Sequence, residues 1–266
     1  MHILLTNDDG INAIGIHALA EELCQIGEVL IAAPSAERSG ASHAFTYRAP
    51  MRVKPVEKHG EFFGYSVDGM PVDCVKLGLH LATKKIDWVV SGMNAGANLG
   101  VDVFYSGTVQ AAVEGTLNGY PSVAFSLADW EGTREDFHTA ARLAKDIFVK
   151  LVDRELPSGL CINVNIPKLP RAQIRGIEVT QQAYHRYKDK YDLEHRHGGE
   201  KDYLLEFGDR VQFRKDGWIL GDKPSRNGFR TDLEAIRDEK IAITPIRVDL
   251  THTRALEEFS RWNLKL

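Results

Sequence analysis

The chain has 266 residues, 43% hydrophobic and 26% charged, enough for a sizeable core in one large domain or two small ones. A formal net charge of −4 gives no bulk reason to bind nucleic acid polymers or anionic membranes, so a small phosphorylated ligand needs a local positive feature such as a metal or a helix N-terminus. The opening run Met1 to Thr6 lacks the basic lead of a signal peptide and is too short for one, and no stretch reaches the ~20 apolar residues of a membrane span. Cys24, Cys74 and Cys161 lie in apolar patterns, which predicts buried thiols and a reducing, cytoplasmic compartment.

Ile3 to Thr6 reads as a buried strand that exits through Asn7-Asp8-Asp9-Gly10. Ile16, Leu19, Ala20 and Leu23 recur at helical spacing, with Gly27 placed to end that helix. Val29 to Ala33 is the next strand, stopped by Pro34, and weaker strand signals surround Gly60 between Val53 and Val67. Met70-Pro71 opens a helix with Val72, Val75, Leu79 and Ala82 on one face. Ile86 to Val90 is a strand followed by a glycine-rich loop from Ser91 to Gly107, and Val109, Ala112, Val113, Thr116 and Leu117 then mark a helix. Pro121 to Leu127 and Leu160 to Ile166 are strands around an amphipathic helix carrying Phe137, Ala141, Ala144, Phe148 and Leu151.

Such alternation predicts an α/β fold, a largely parallel sheet with helices on both faces in the Rossmann-like manner. From about Lys168 the pattern changes. Ile174 to Thr180, Tyr203 to Phe207 and Ile241 to Val248 read as strands, with a charged stretch from Tyr184 to Lys201 and a last helix from Arg254 to Trp262. We expect one domain over 1–266, with a core of about 1–167 and a β-rich C-terminal extension, about 168–266, that is either an arm between subunits or a surface loop.

In open parallel sheets ligands bind beyond the carboxyl ends of the strands, and three polar segments fall there. Asp8 and Asp9, adjacent after a buried strand, either share a hard cation or form an Asp-Gly turn that caps the next helix. In Glu37-Arg38-Ser39-Gly40-Ala41-Ser42-His43, Ser39 offers a hydroxyl ligand and Gly40 a close backbone approach, although such loops are usually only loops. In the third segment Asn94 and Asn98 supply amide oxygens, Gly92, Gly96 and Gly100 supply conformational freedom, and Ser106-Gly107-Thr108 opens a helix whose free N–H groups suit a phosphate. Carboxylate, hydroxyl and amide oxygens without a Cys or His cluster point to Mg²⁺, Mn²⁺ or Ca²⁺ and away from structural zinc. His195 and His197 read as solvated, and His17 and His80 as structural.

The order and spacing of Thr6-Asn7-Asp8-Asp9-Gly10, Arg38-Ser39-Gly40, Ser91 to Asn98 and Ser106-Gly107-Thr108-Val109 resemble the SurE family of stationary-phase survival proteins, metal-dependent 5′/3′-nucleotidases. Asp73-Cys74-Val75, Ala111 to Gly115, Thr231-Asp232 and Thr244-Pro245 extend the resemblance along nearly the whole chain, and Tyr184 to Gly221 matches poorly. The resemblance implies one divalent cation per subunit, Mg²⁺ or Mn²⁺ with Ca²⁺ a possible occupant in crystals, held by Asp8, Asp9, Ser39 and Asn94. It implies phosphate contacts near Gly40, Asn98, Ser106, Gly107 and Thr108, and catalytic roles for Asp8 and Asp9 in hydrolysing nucleoside 5′-monophosphates and possibly 3′-monophosphates. It also implies a homodimer or homotetramer built through C-terminal segments. Two rival readings are a receiver-type phosphorylation switch and a metal-dependent deacetylase. The first lacks a phosphate-accepting Asp after the strand from Ile86, and the second lacks a histidine beside the paired acids. No G-x-G-x-x-G follows the first strand, which disfavours dinucleotide binding.

Overall fold

Side chains alternate across a strand, so successive residues of β1 (His2–Thr6) sort to opposite faces of the sheet. Ile3 and Leu5 pack with helices α1 (Ile14–Leu23) and α4 (Arg134–Val152), through Ile16, Leu19, Ala141 and Phe148. Leu4 points the other way, into a cluster with Val75 of α2 (Pro71–Leu81) and Ala111 of α3 (Gly107–Leu117). The computed structural model describes residues 1–184, 190–197, 200–206 and 228–262.

The remaining strands are β2 (Glu28–Pro34), β3 (Val53–Lys58), β4 (Glu61–Val67), β5 (Trp88–Ala95), β6 (Ser122–Leu127), β7 (Leu160–Ile166), β8 (Ile177–Val179), β9 (Lys190–His197), β10 (Glu200–Glu206) and β11 (Ile241–Arg247). Eight of them join β1 in one nine-stranded sheet in the order β3-β4-β2-β1-β5-β6-β7-β11-β8. The run from β4 to β7 is parallel throughout, β3 is antiparallel at one edge, and β11 is antiparallel to β7. The α/β fold with a mostly parallel sheet and β-strands late in the chain is as the sequence predicts.

From β1 the chain winds outward through β2 to β4, returns to place β5 on the other side of β1, and winds away through β6 and β7. The switch point between β1 and β5 opens a crevice at their carboxyl ends. Asp8 and Asp9 follow β1 there, and Asn94 lies at the end of β5.

Several boundaries differ from the sequence reading. The segment from Ser91 is not loop at first: β5 runs on to Ala95, its pairing with β6 slipping between Ser91 and Asn94. A short 3₁₀ turn (Gly100–Phe104) then leads into α3. Gly27 does not cap α1, whose C-cap is Cys24; a side chain at Gly27 would meet the Met1 carbonyl, so close packing explains that glycine. Cys24 is exposed, whereas Cys74 and Cys161 are buried. His80 is exposed too, while half-buried His17 stacks on Phe63.

The C-terminal part holds more structure than periodicity suggests. The charged stretch contains β9, which pairs with β10 in a hairpin separate from the main sheet. Helix α5 (Asp232–Arg237) was not foreseen, being only six residues long and capped by a Thr231/Glu234 box. The last helix, α6 (Thr253–Phe259), is shorter than expected. Phe207 and the side chains of His195 and His197 lie outside the described residues.

Candidate active site

Asp8 is buried and Asp9 half-buried, side by side beyond β1. Asn7 locks the turn that carries them: its Nδ2 donates to the Gly10 carbonyl at 2.9 Å and its Oδ1 accepts from the Gly10 N–H at 3.2 Å. The Arg38 N–H donates to the Asp8 carbonyl at 2.7 Å, joining the loop after β2 to this turn. The Ala95 N–H donates to Asp9 Oδ2 at 3.2 Å, joining the end of β5 from the other side. Thus the three polar segments do meet around the two acids.

Helix α3 arrives end-on. Ser106 caps it by accepting from the Val109 N–H at 3.0 Å. The Thr108 hydroxyl donates to Asp8 Oδ1. Gly107 has no room for a side chain: a Cβ there would sit 2.8 Å from Asp8 Cβ and Oδ2 and 3.1 Å from Pro71 Cγ. The positive end of the helix and a hydroxyl donor therefore face the Asp8 carboxylate directly. Even so, burial pushes the Asp8 carboxyl up, against the lowering effect of the Thr108 hydroxyl and N–H. Burial and then the Asp8 charge push Asp9 up to about 7, and Glu37 adds to the repulsion.

Two acids forced up in this way mark a site short of positive charge. Among the described residues no group of three or more His, Cys, Asp or Glu side chains is placed to hold a metal. A cation here would rest on two carboxylates and neutral oxygens. That set suits Mg²⁺, which takes one or two carboxylates, retains several waters and completes its shell with substrate phosphate. Asn94 is buried and its Nδ2 is committed to the Gly96 carbonyl at 2.8 Å, so its Oδ1 is the atom that could ligate a cation. The Ser39 hydroxyl is exposed and donates to Glu37 Oε1 at 2.7 Å, so its oxygen remains an acceptor. The donor chemistry of these residues fits a hard divalent ion.

The residues expected to contact phosphate are only partly presented to solvent. Gly40 is exposed, with φ of +73° and open space around it. Ser106 and Thr108 are buried and engaged as described. Asn98 is built into a polar cradle instead of pointing freely into the crevice. Its Nδ2 donates to Ser126 Oγ at 2.8 Å, its N–H donates to Asn165 Oδ1 at 2.8 Å, and its carbonyl accepts from Asn163 Nδ2 and Asn165 Nδ2. Asp232 closes the same loop from α5, accepting from the Gly100 N–H at 2.8 Å and the Ala183 N–H at 3.0 Å.

Sequence reasoning assigned no role to Glu37, Asn163, Asn165 or this use of Asp232. Asn163 and Asn165 did carry a signal: two amides at i and i+2 point to one face of an otherwise apolar strand.

A family model described as "Survival protein SurE" matches residues 3–189. Curated relatives named "5'-nucleotidase SurE" include one from Chlorobium chlorochromatii, 40% identical over 266 residues, spanning 99% of this chain and 92% of that protein. Another, from Syntrophobacter fumaroxidans, is 39% identical over 265 residues and spans 99% and 100%. The crystal structure of the SurE protein from Aquifex aeolicus superposes with a TM-score of 0.79 at 34% identity, covering 98% of both chains.

Proposed function

The chain belongs to the SurE family and is a nucleotidase of the phosphomonoesterase class, and from that premise we propose that it hydrolyses nucleoside 5′-monophosphates, and 3′-monophosphates as well, with one Mg²⁺ or Mn²⁺ per subunit. The observation that carries this reading is the meeting of Asp8, Asp9 and Asn94 with the N-terminus of α3 at the switch point between β1 and β5. Asp8, Asp9, Asn94 and Ser39 would hold the cation. When bound, a divalent cation supplies Lewis acidity toward the phosphoryl oxygens and the attacking water.

The chain's own groups do the rest. Thr108 holds Asp8 through its hydroxyl and N–H, and the positive end of α3 attracts the phosphoryl oxygens, with Gly40 letting the backbone of its loop approach. Asn98 acts through its cradle, fixing the loop between Asn94 and α3. Asp9 orients the water and takes its proton. Water is the nucleophile, since Asp8 and Asp9 would be engaged in holding the cation and Asp8 also accepts from Thr108.

The test is phosphate release from adenosine 5′-monophosphate with and without chelator. Chelation abolishes turnover and added Mg²⁺ or Mn²⁺ restores it; full activity in excess chelator would remove the metal from this reading. Asp8→Asn and Asn94→Ala lower metal affinity at least about 10–100-fold, the range seen when only outer partners of a ligand are changed.

We further assign the hairpin β9–β10 to contacts between subunits in a dimer or tetramer. It supports this assignment that the hairpin lies off the main sheet, since two strands alone are at best marginally stable in water. The assigned location is the cytoplasm. Exposed Cys24 suits a reducing compartment, and no described helix is long and apolar enough to cross a membrane.

A further inference from the structure

The segment between β2 and β3 has no regular structure over residues 41–52, yet it is fastened at three places. Ser42 donates its N–H to the Tyr105 carbonyl at 3.0 Å and its hydroxyl to the Phe104 carbonyl at 2.6 Å. His43 bridges two turns of α3, meeting Gln110 Oε1 at 2.8 Å and Glu114 Oε2 at 2.9 Å. Thr46 donates its N–H at 2.9 Å and its hydroxyl at 2.8 Å to the Asp73 carboxylate in the first turn of α2. The segment is thus a strap laid across α2 and α3. Both helices begin at the candidate site, where Pro71 and Asp8 close on Gly107.

Two of the three fastenings use buried carboxylates, Asp73 and Glu114. A buried charge is costly unless paired, and here the pairing groups include the strap itself. Between the fastened residues 43 and 46 stands Phe45, 54% exposed, touching Tyr47 edge-to-face at 6.3 Å. Arg48 lies 5.0 Å from the centre of the Tyr47 ring. The ring is displayed to solvent from backbone fastened on both sides, although its burial would be worth more in the core than its display. Display of a ring from a fastened backbone suits stacking on a flat ligand, since part of the entropy of ordering it is already spent.

We propose that Phe45, displayed by the strap at the rim of the site, is the stacking platform for the nucleobase of the substrate, with His43 and Thr46 as positioning residues that act through it. The inference rests on the nucleotidase reading and adds to it that the base is recognised by its aromatic face. Stacking of this kind tolerates any base, so the platform selects nucleotides over sugar phosphates without selecting among bases.

The deciding measurement is the ratio of kcat/KM for adenosine 5′-monophosphate over ribose 5-phosphate. In the wild-type protein the ratio is well above one. Phe45→Ala lowers it about tenfold, mainly through KM, and Phe45→Tyr restores it. Thr46→Val, which removes the hydroxyl bond of that fastening and leaves its N–H bond and the ring in place, lowers the ratio in the same direction. As an activity-free readout, the indole introduced by Phe45→Trp is quenched by adenosine 5′-monophosphate and not by ribose 5-phosphate. An unchanged ratio in Phe45→Ala overturns the platform while leaving the nucleotidase reading intact, and so does a wild-type ratio near one. A wild-type protein that releases phosphate from neither compound overturns both.

Discussion

At the scale of single residues, Gly107 is closed to substitution for a steric reason. Its backbone is in an ordinary helical region, but a methyl group there would lie 2.8 Å from the Asp8 carboxylate. Gly107→Ala therefore has to displace either the acid or the helix start. Overpacking of this sort costs about 1–3 kcal/mol of stability, and moving Asp8 weakens Mn²⁺ binding about tenfold or more. Thermal unfolding and calorimetric titration of Mn²⁺ would check this; wild-type affinity in the variant would show that Asp8 does not depend on that gap. The paired acids themselves were legible from sequence, because adjacent carboxylates after a buried strand need a reason to be there. The Gly107 contact was not, since glycine before a helix reads equally well as a simple turn. Nor was the link from Thr108 to Asp8, which spans 100 positions of chain and has no local signature.

Among the elements, the loop between β5 and α3 shows how a glycine-rich stretch becomes rigid. Gly92, Gly96 and Gly100 all take positive φ, at +132°, +107° and +54°, so the sequence signal for unusual backbone was sound. Its extent was misjudged because Ser91 to Ala95 still pairs with β6, and periodicity cannot register a strand that contains a slip. Rigidity comes from partners far away in the chain: Ser126, Asn163 and Asn165 around Asn98, and Asp232 on Gly100. Asp232→Ala leaves the Gly100 and Ala183 N–H groups buried without an acceptor. At about 1–3 kcal/mol per group, the loss is about 2–6 kcal/mol. Urea unfolding at constant m-value measures it, and a loss below about 1 kcal/mol would mean that other acceptors replace the carboxylate. Short α5 escaped the sequence reading since six residues give too little periodicity, although its Thr231/Glu234 capping box was visible.

On the scale of the whole molecule, the sheet order explains why the candidate site gathers where it does: a chain that winds both ways from β1 leaves a crevice between β1 and β5, and Asp8, Asp9 and Asn94 stand at it. The alternation of strands and helices made that architecture readable up to β7. Beyond it the pattern failed, because β11 runs against its neighbour and β9–β10 stand outside the sheet. Replacing 185–206 by a short Gly/Ser loop is expected to lower the mass seen by light scattering while the core stays folded; an unchanged mass would reduce the hairpin to a surface feature. The position of Asp232 also bears on how the protein is made. Chains emerge from the ribosome N-terminus first and can begin to fold before synthesis ends. The first 184 residues include β1 to β8 and every candidate metal ligand, yet the clasp on Gly100 arrives only with residue 232, together with the strand that joins β8 to β7. A nascent or prematurely released chain would thus display its acidic turn with Asn98 already cradled but the Gly100 end of the neighbouring loop still unfastened.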